Sequence, residues 1–353
     1  MKIIFSLSIL LISGQLAFAQ QRAKKVDSII QTIHNKYPHV AVSIGFIDNG
    51  KEHFFNYGSI SQNNKVEVNK NTIFEIGSIT KLLTANLMAQ AQDEGKLNIN
   101  DFIDDYIPSE YILSEEIKNK IKISDLASHQ SGLPDFDITK LIELNPKQPL
   151  DINKETIHSL INDSTKLLDY GNYRYSNINF VLMGMILEHV YAQDFDRLIK
   201  EKILIPAQMT QTLTTNFNVK NKVVGYDMNG VEQAYFFWNP LIAPAGLLKS
   251  NASDMAKFLK ALLLIDGKIF KATAITEETF FKNTRREIGF GQQIERNGDN
   301  TFFYKTGDTF SCSSILAYSK KSDWGIIILI NEHNADLIRE LFNAIYEHAL
   351  EEK

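Results

Sequence analysis

An α/β fold, an antiparallel β-sheet flanked by helices with an inserted all-helical lobe, is predicted by three features: β-rich runs at both ends, helical periodicity between them, and a helix outside each set of strands. At the N-terminal end, VDSIIQTIHNK (residues 26–36) has apolar positions at helical spacing. VAVSIGFI and HFFNYGSI follow on either side of Asp48-Asn49-Gly50, the pattern of a β-hairpin. At the C-terminal end, TFFYKTG, SILAYS and GIIILIN are short strands separated by turn residues, and DLIRELFNAIYEHAL closes the chain as an amphipathic helix. Between them, KLLTANLMAQAQ, FVLMGMILEHVY and DMAKFLKALLLI read as helices. There is no internal repeat and no Pro/Gly/Ser linker, so the expected organisation is one unit over residues 21–353. Its sheet lobe spans about 21–80 and 265–353 and its helical lobe about 81–264, with the site at the lobe junction.

Composition narrows the function. The chain has 353 residues, 44% hydrophobic and 22% charged, which is ordinary for a globular protein. A formal net charge of −5 and the lack of any lysine/arginine run exclude a nucleic-acid partner. Residues 1–20 read as a secretory signal peptide: Lys2, an apolar stretch from Ile3 to Ile12, and Ala17-Phe18-Ala19 before Gln20. That stretch is well short of the roughly 20 residues a spanning helix needs, and no cysteine follows it to carry lipid. The expectation is therefore an exported monomer, periplasmic or extracellular, with no stable membrane anchor. Cys312 is the only cysteine, which rules out an intrachain disulfide, and its setting in FSCSSILAY suits a buried packing residue.

Three short motifs carry chemistry. In FEIGSITKLLTANLMAQA a strand-like start passes Gly77 and turns helical at about Ser78, so Ser78 and Lys81 share a helix face. A serine hydroxyl needs a base to become nucleophilic, and a desolvated lysine can serve. Alone, S-x-x-K is weak, with about one or two matches expected by chance. Tyr175-Ser176-Asn177 precedes the helix FVLMGMILEHVY and can present a phenol and an amide together, although an asparagine-capped turn fits the same residues. Lys305-Thr306-Gly307 ends a strand, where the lysine and threonine can hold a carboxylate and the glycine admits a close backbone. The eight histidines show no metal-ligand spacing, no G-x-S-x-G surrounds Ser78, and no phosphate-binding loop occurs, so no cofactor or metal is expected.

Taken in order, S-x-x-K, Y-x-N and K-T-G resemble the active-site set of the serine β-lactamases and penicillin-binding peptidases. IKISDLASHQSGLP (121–134), PAGLLKSNASDMAKFL (244–259) and GKLNINDFIDDYIP (95–108) are similar to segments of the class C β-lactamases and their DD-peptidase and esterase relatives. The resemblance implies Ser78 as nucleophile, Lys81 as its proton partner, and Tyr175 as general base and then general acid. It implies that Asn177 orients Lys81 and the substrate amide, and that Lys305, Thr306 and Gly307 receive the substrate carboxylate. The backbone N–H groups of Ser78 and Asp308 would form the oxyanion hole. His129, in SHQSGLP, would belong to a turn. Two departures stand out: aspartate at 308, where small residues are usual, and Phe310-Ser311 where class C enzymes tend to have a glycine pair. The expected partner is a small-molecule or peptide substrate with a carboxylate. β-Lactam hydrolysis is preferred, with D-Ala-D-Ala-type peptidase, esterase, or non-turnover penicillin binding as alternatives. The 130 residues from Tyr175 to Lys305 match the compact DD-peptidases better than the larger class C enzymes.

Overall fold

In the computed structural model, which describes residues 21–351, the chain begins with helix α1 (residues 21–34), whose Val26, Ile30 and Ile33 form one buried face. The signal-peptide residues 1–20 lie outside the described residues. Asn49 and Gly50 adopt positive φ (49° and 75°), as a tight two-residue hairpin turn requires, and so fold β1 (Val42–Asp48) onto β2 (Lys51–Tyr57). The central segment supplies α2 (Thr80–Asp93), α3 (Ile178–Tyr191), α4 (Ala252–Leu263) and α5 (Lys268–Thr276). Six strands follow: β3 (Phe281–Lys282), β4 (Glu287–Ile288), β5 (Gln293–Asn297), β6 (Asn300–Asp308), β7 (Ser313–Ser319) and β8 (Trp324–Ile330). Helix α6 (Ala335–Ile345) closes the fold and runs on as a π-helical segment, Tyr346–Leu350.

All eight strands form one antiparallel sheet in the order β2-β1-β8-β7-β6-β5-β4-β3. Strand β8, WGIIILI, is apolar at nearly every position because both of its faces are covered. Ile326, Ile328 and Ile330 pack with α1 and α6 on one side, while Ile327 and Leu329 face the central helices on the other. Helix α3 is buried from Ile178 through Leu187, which explains why its sequence is apolar around the whole circumference. Among the described residues, no helix is long and apolar enough to cross a membrane.

The two lobes are less cleanly divided than the sequence suggests. Helix α4, expected in the helical lobe, packs against β1 and β8, and α5, expected with the sheet, packs against α2. Apolar periodicity reveals that a helix has a buried face but carries no information about which layer meets it. The short pairing of Phe74–Glu75 with Lys249–Ser250 was also not legible. It ties the strand before Ser78 to the strand before α4.

Candidate active site

Ser78 lies in a 3₁₀ turn, Gly77–Ile79, that leads into α2, so the α-helix proper starts two residues later than expected. Two glycines set its position. Gly77 has φ +50°, and a Cβ there would stand 2.8 Å from the Asp308 nitrogen; a Cβ on Gly307 would stand 2.1 Å from the Ile76 carbonyl and 3.0 Å from the Ser78 nitrogen. Only bare backbone lets β6 approach this closely, and the approach brings the Ser78 and Asp308 amides together.

The i, i+3 spacing puts Lys81 beside Ser78, with Nζ 3.0 Å from Ser78 Oγ. Lys81 is fully buried, and Nζ also donates to Asn177 Oδ1 (2.8 Å) and to the Ala245 carbonyl (2.5 Å). Ala245 can reach that position because α3 has Gly184 under Pro244, where a Cβ would come within 2.2 Å of the proline ring. Burial lowers the Lys81 pKa to about 7, and the negative charge of Asp135 opposes that fall. The Tyr175 hydroxyl is 2.6 Å from Ser78 Oγ, so serine, lysine and tyrosine form one hydrogen-bonded set.

Tyr175 is held by its ring. Lys81 Nζ and Lys305 Nζ each lie 5.0 Å from the ring centroid, and the His129 ring packs 4.5 Å away. His129 has φ +61° and accepts from the Ser176 amide through Nδ1. Burial, then the charges of Lys305 and Lys81, hold its imidazole well below the usual range, so it is a neutral packing surface at the turn. Lys305 is buried on β6, and burial, reinforced by the charge on Lys81, lowers its pKa to about 8.

Four residues outside the three motifs complete the arrangement. Asp135 accepts the Asn177 and Ile178 amides at 2.9 and 3.1 Å and the Asn177 side-chain amide at 3.2 Å, which caps α3 and fixes the amide that faces Lys81. Arg286 stacks over Tyr173, 4.4 Å from the ring centroid, beside Lys305. Glu75, buried three residues before Ser78, accepts the Ser311 hydroxyl at 2.8 Å and the Phe236 amide at 2.9 Å. Burial raises its pKa, opposed by buried Lys249 nearby. Asp135 follows the Gly-Leu-Pro turn and could have been suspected as a cap; nothing near Arg286, Tyr173 or Glu75 in the sequence marks them.

The departures at 308 and 310 acquire definite roles. The Asp308 carboxylate is exposed and tethered by the Ser313 hydroxyl, 2.5 Å from Oδ1. Phe310 packs edge-on against Phe236, with centroids 5.0 Å apart at 65°, while Ser311 points down to Glu75. Cys312 is buried and its thiol is pushed up to about 12 by burial, in keeping with a packing residue.

Ser78, Asn177 and Asp308 stand between two chambers. One, about 410 Å³, is polar and cationic, bordered by Tyr173, Tyr175, Arg286, Gln293, Lys305 and Thr306. The other, about 190 Å³, is walled by Ile138, Leu150, Phe236, Ile242 and Phe310. A larger groove of about 610 Å³ runs between β6 and α6, touching the site only through Thr306 and Asp308.

Comparisons with known proteins agree with the overall fold. The family model described as Beta-lactamase matches residues 26–346. Protein flp of Staphylococcus aureus is 27% identical over 343 residues, covering 92% of this chain and 67% of that protein. The octameric penicillin-binding protein homologue from Pyrococcus abyssi superposes with a TM-score of 0.80 at 23% identity, over 93% of this chain and 76% of that one. A Beta-Lactamase/D-Alanine Carboxypeptidase from Pseudomonas syringae superposes at 0.77 with 21% identity, over 92% and 99% of the two chains.

Proposed function

Since the chain belongs to the Beta-lactamase family, whose members are serine hydrolases, we propose that it hydrolyses β-lactams through an acyl-enzyme on Ser78. The observation that carries this reading is the hydrogen-bonded set of Ser78 Oγ, Lys81 Nζ and Tyr175 OH beside a buried lysine able to hold a carboxylate. Ser78 Oγ attacks the lactam carbonyl carbon, and its proton passes to the Lys81–Tyr175 pair. The oxyanion takes hydrogen bonds from the Ser78 and Asp308 amides. The C–N bond then breaks as Tyr175 delivers a proton to the nitrogen, leaving an ester on Ser78. Water gives a proton to Tyr175 and attacks the ester carbon; the C–O bond breaks and Ser78 regains its proton.

D-alanyl peptides are a second substrate class for the same steps. Arg286 and Lys305 in one roomy chamber suit a leaving amino acid with a free carboxylate. The Pseudomonas syringae protein, named for both activities, supports considering the two together. The reading includes export, on the strength of the A-x-A leader. The deciding experiment is a mass-spectrometric time course with benzylpenicillin alongside D-alanine release from a D-Ala-D-Ala peptide. A transient adduct of acyl mass with product accumulation supports lactam hydrolysis, whereas a persistent adduct means a binder and D-alanine release alone means a peptidase.

Lys305→Ala is expected to lower kcat/KM for anionic lactams or peptides about ten- to a hundredfold, since a charge-assisted hydrogen bond contributes roughly 1.5–3 kcal/mol. p-Nitrophenyl acetate, with no carboxylate to anchor, should lose far less. Equal losses on both substrates would remove Lys305 from anion binding.

The pH dependence should separate the two lysines. Both pKa values are depressed, so each lysine is cationic below its pKa and neutral above it. Proton acceptance by Lys81 therefore improves as pH rises through about 7, and carboxylate binding by Lys305 weakens as pH rises through about 8. For anionic substrates kcat/KM should be bell-shaped; for a neutral ester only the rising limb should remain. A falling limb of equal depth on the neutral ester would contradict the assignment.

A further inference from the structure

We infer that Glu75 is a positioning residue for the oxyanion hole: by holding Ser311 it locks the turn after Asp308 to the strand before Ser78, and so fixes how the two amides face each other. The inference rests on the Ser78 and Asp308 amides being the donors to the oxyanion, whichever acyl substrate is used. Those donors lie on separate elements, one in the 3₁₀ turn that opens α2 and the other at the end of β6. Glu75 stands three residues before the first donor and Ser311 three residues after the second. The Ser311 hydroxyl donates to Glu75 Oε2 at 2.8 Å, so this bond ties together the two backbone segments that carry the donors.

Each partner is itself held in place. Glu75 is buried in the short strand Phe74–Glu75, directly opposite buried Lys249, and its Oε1 accepts the Phe236 amide at 2.9 Å. A carboxylate has two acceptor oxygens, so Glu75 takes Ser311 on one and Phe236 on the other. The turn from Thr309 to Cys312 closes on itself. Its Thr309 amide donates to the Cys312 carbonyl at 2.9 Å, and Thr309 Oγ1 accepts the Ser311 and Cys312 amides at 3.2 and 3.0 Å. The turn also packs on Gly225, where a Cβ would stand 2.3 Å from Ser311 Cβ, and the Tyr226 amide donates to the Ser311 carbonyl at 3.2 Å. A turn this compact moves as one piece, so a shift of Ser311 carries to the Asp308 amide. Ser314 Oγ, 3.0 Å from the Ile76 carbonyl, ties β7 to the residue before Gly77. The hole is therefore anchored twice: Ser314 holds the approach of the sheet, and Glu75 holds the direction in which the chain leaves β6.

Ser311→Ala deletes the bridging hydroxyl. It should lower kcat/KM for p-nitrophenyl acetate and benzylpenicillin alike by about ten- to a hundredfold, the scale of a ~1 Å misplacement and short of the about 10²–10³-fold loss of a whole donor. Glu75→Gln keeps the bridge, since its amide oxygen can accept from Phe236 and its nitrogen can donate to Ser311 Oγ, and should stay near wild type. Glu75→Ala should match Ser311→Ala, and the double variant should be no worse than either, because all three lose the same bond. If Glu75→Ala does not fold, Ser311→Ala and Glu75→Gln decide. Phenylboronic acid separates positioning from simple loss of structure. Its boron bonds to Ser78 Oγ and presents a hydroxyl to the two amides, so across the variants its Ki should rise by the factor by which kcat/KM falls, with rates expressed per Ser78 titrated by a fluorophosphonate. Unchanged Ki and per-site rates, with only a lower thermal midpoint or a smaller titratable fraction, would overturn the inference and leave Glu75 a packing residue. A Glu75→Gln variant as impaired as Ser311→Ala would overturn it too. If benzylpenicillin is not turned over while the ester and the boronate follow this pattern, the clamp stands and the lactam reading falls. If Ser78 of the wild-type protein takes up neither fluorophosphonate nor boronate, both fall.

Discussion

Ser78→Ala should abolish covalent labelling by a fluorescent penicillin or a fluorophosphonate and lower hydrolysis by roughly five to six orders of magnitude, the loss seen when a catalytic serine is removed from a group of residues that act together. No other hydroxyl can substitute at this point. The amides of Ser78 and Asp308 meet only where Gly77 and Gly307 let the 3₁₀ turn and β6 touch, and Lys81 Nζ and Tyr175 OH both converge on Ser78 Oγ. The fold should hardly notice. The substitution removes one half-buried hydroxyl and one of three acceptors around Lys81, so the thermal midpoint should move by about 4 °C at most. Labelling retained in the mutant would place the nucleophile elsewhere.

Tyr175→Phe is expected to reduce kcat by about 10² to 10⁴, the usual contribution of general acid–base catalysis, while leaving substrate binding near normal. The ring contacts with His129, Lys81 and Lys305 all involve the aromatic face, and phenylalanine preserves them. Only the oxygen 2.6 Å from Ser78 Oγ is lost. Single-turnover acylation and deacylation rates should both fall, because the hydroxyl serves the leaving nitrogen in one step and the water in the other. If Tyr175 merely shapes the turn, turnover changes by a few-fold, and that result would remove it from the mechanism.

Much of this protein was determined by the sequence alone, and the reason is local geometry. Helical period fixes Lys81 on the face of Ser78, and the Asn49-Gly50 turn forces the first hairpin. The unbroken apolar run of β8 requires a strand covered on both faces, and the three motifs in order carry the family resemblance. Tertiary structure decided what lies far apart along the chain. Asp135 reaches Asn177 across 42 residues and Ser311 reaches Glu75 across 236. Arg286 meets Tyr173 on the cationic side, and Ile138, Leu150, Phe236 and Phe310 come from separate segments to wall the apolar side. None of these contacts leaves a periodic trace, because an exposed arginine or a half-buried leucine satisfies the same local pattern wherever the chain later folds. Local spacing determines which atoms can react; packing between distant segments decides the charge and polarity of the chambers on either side of Ser78.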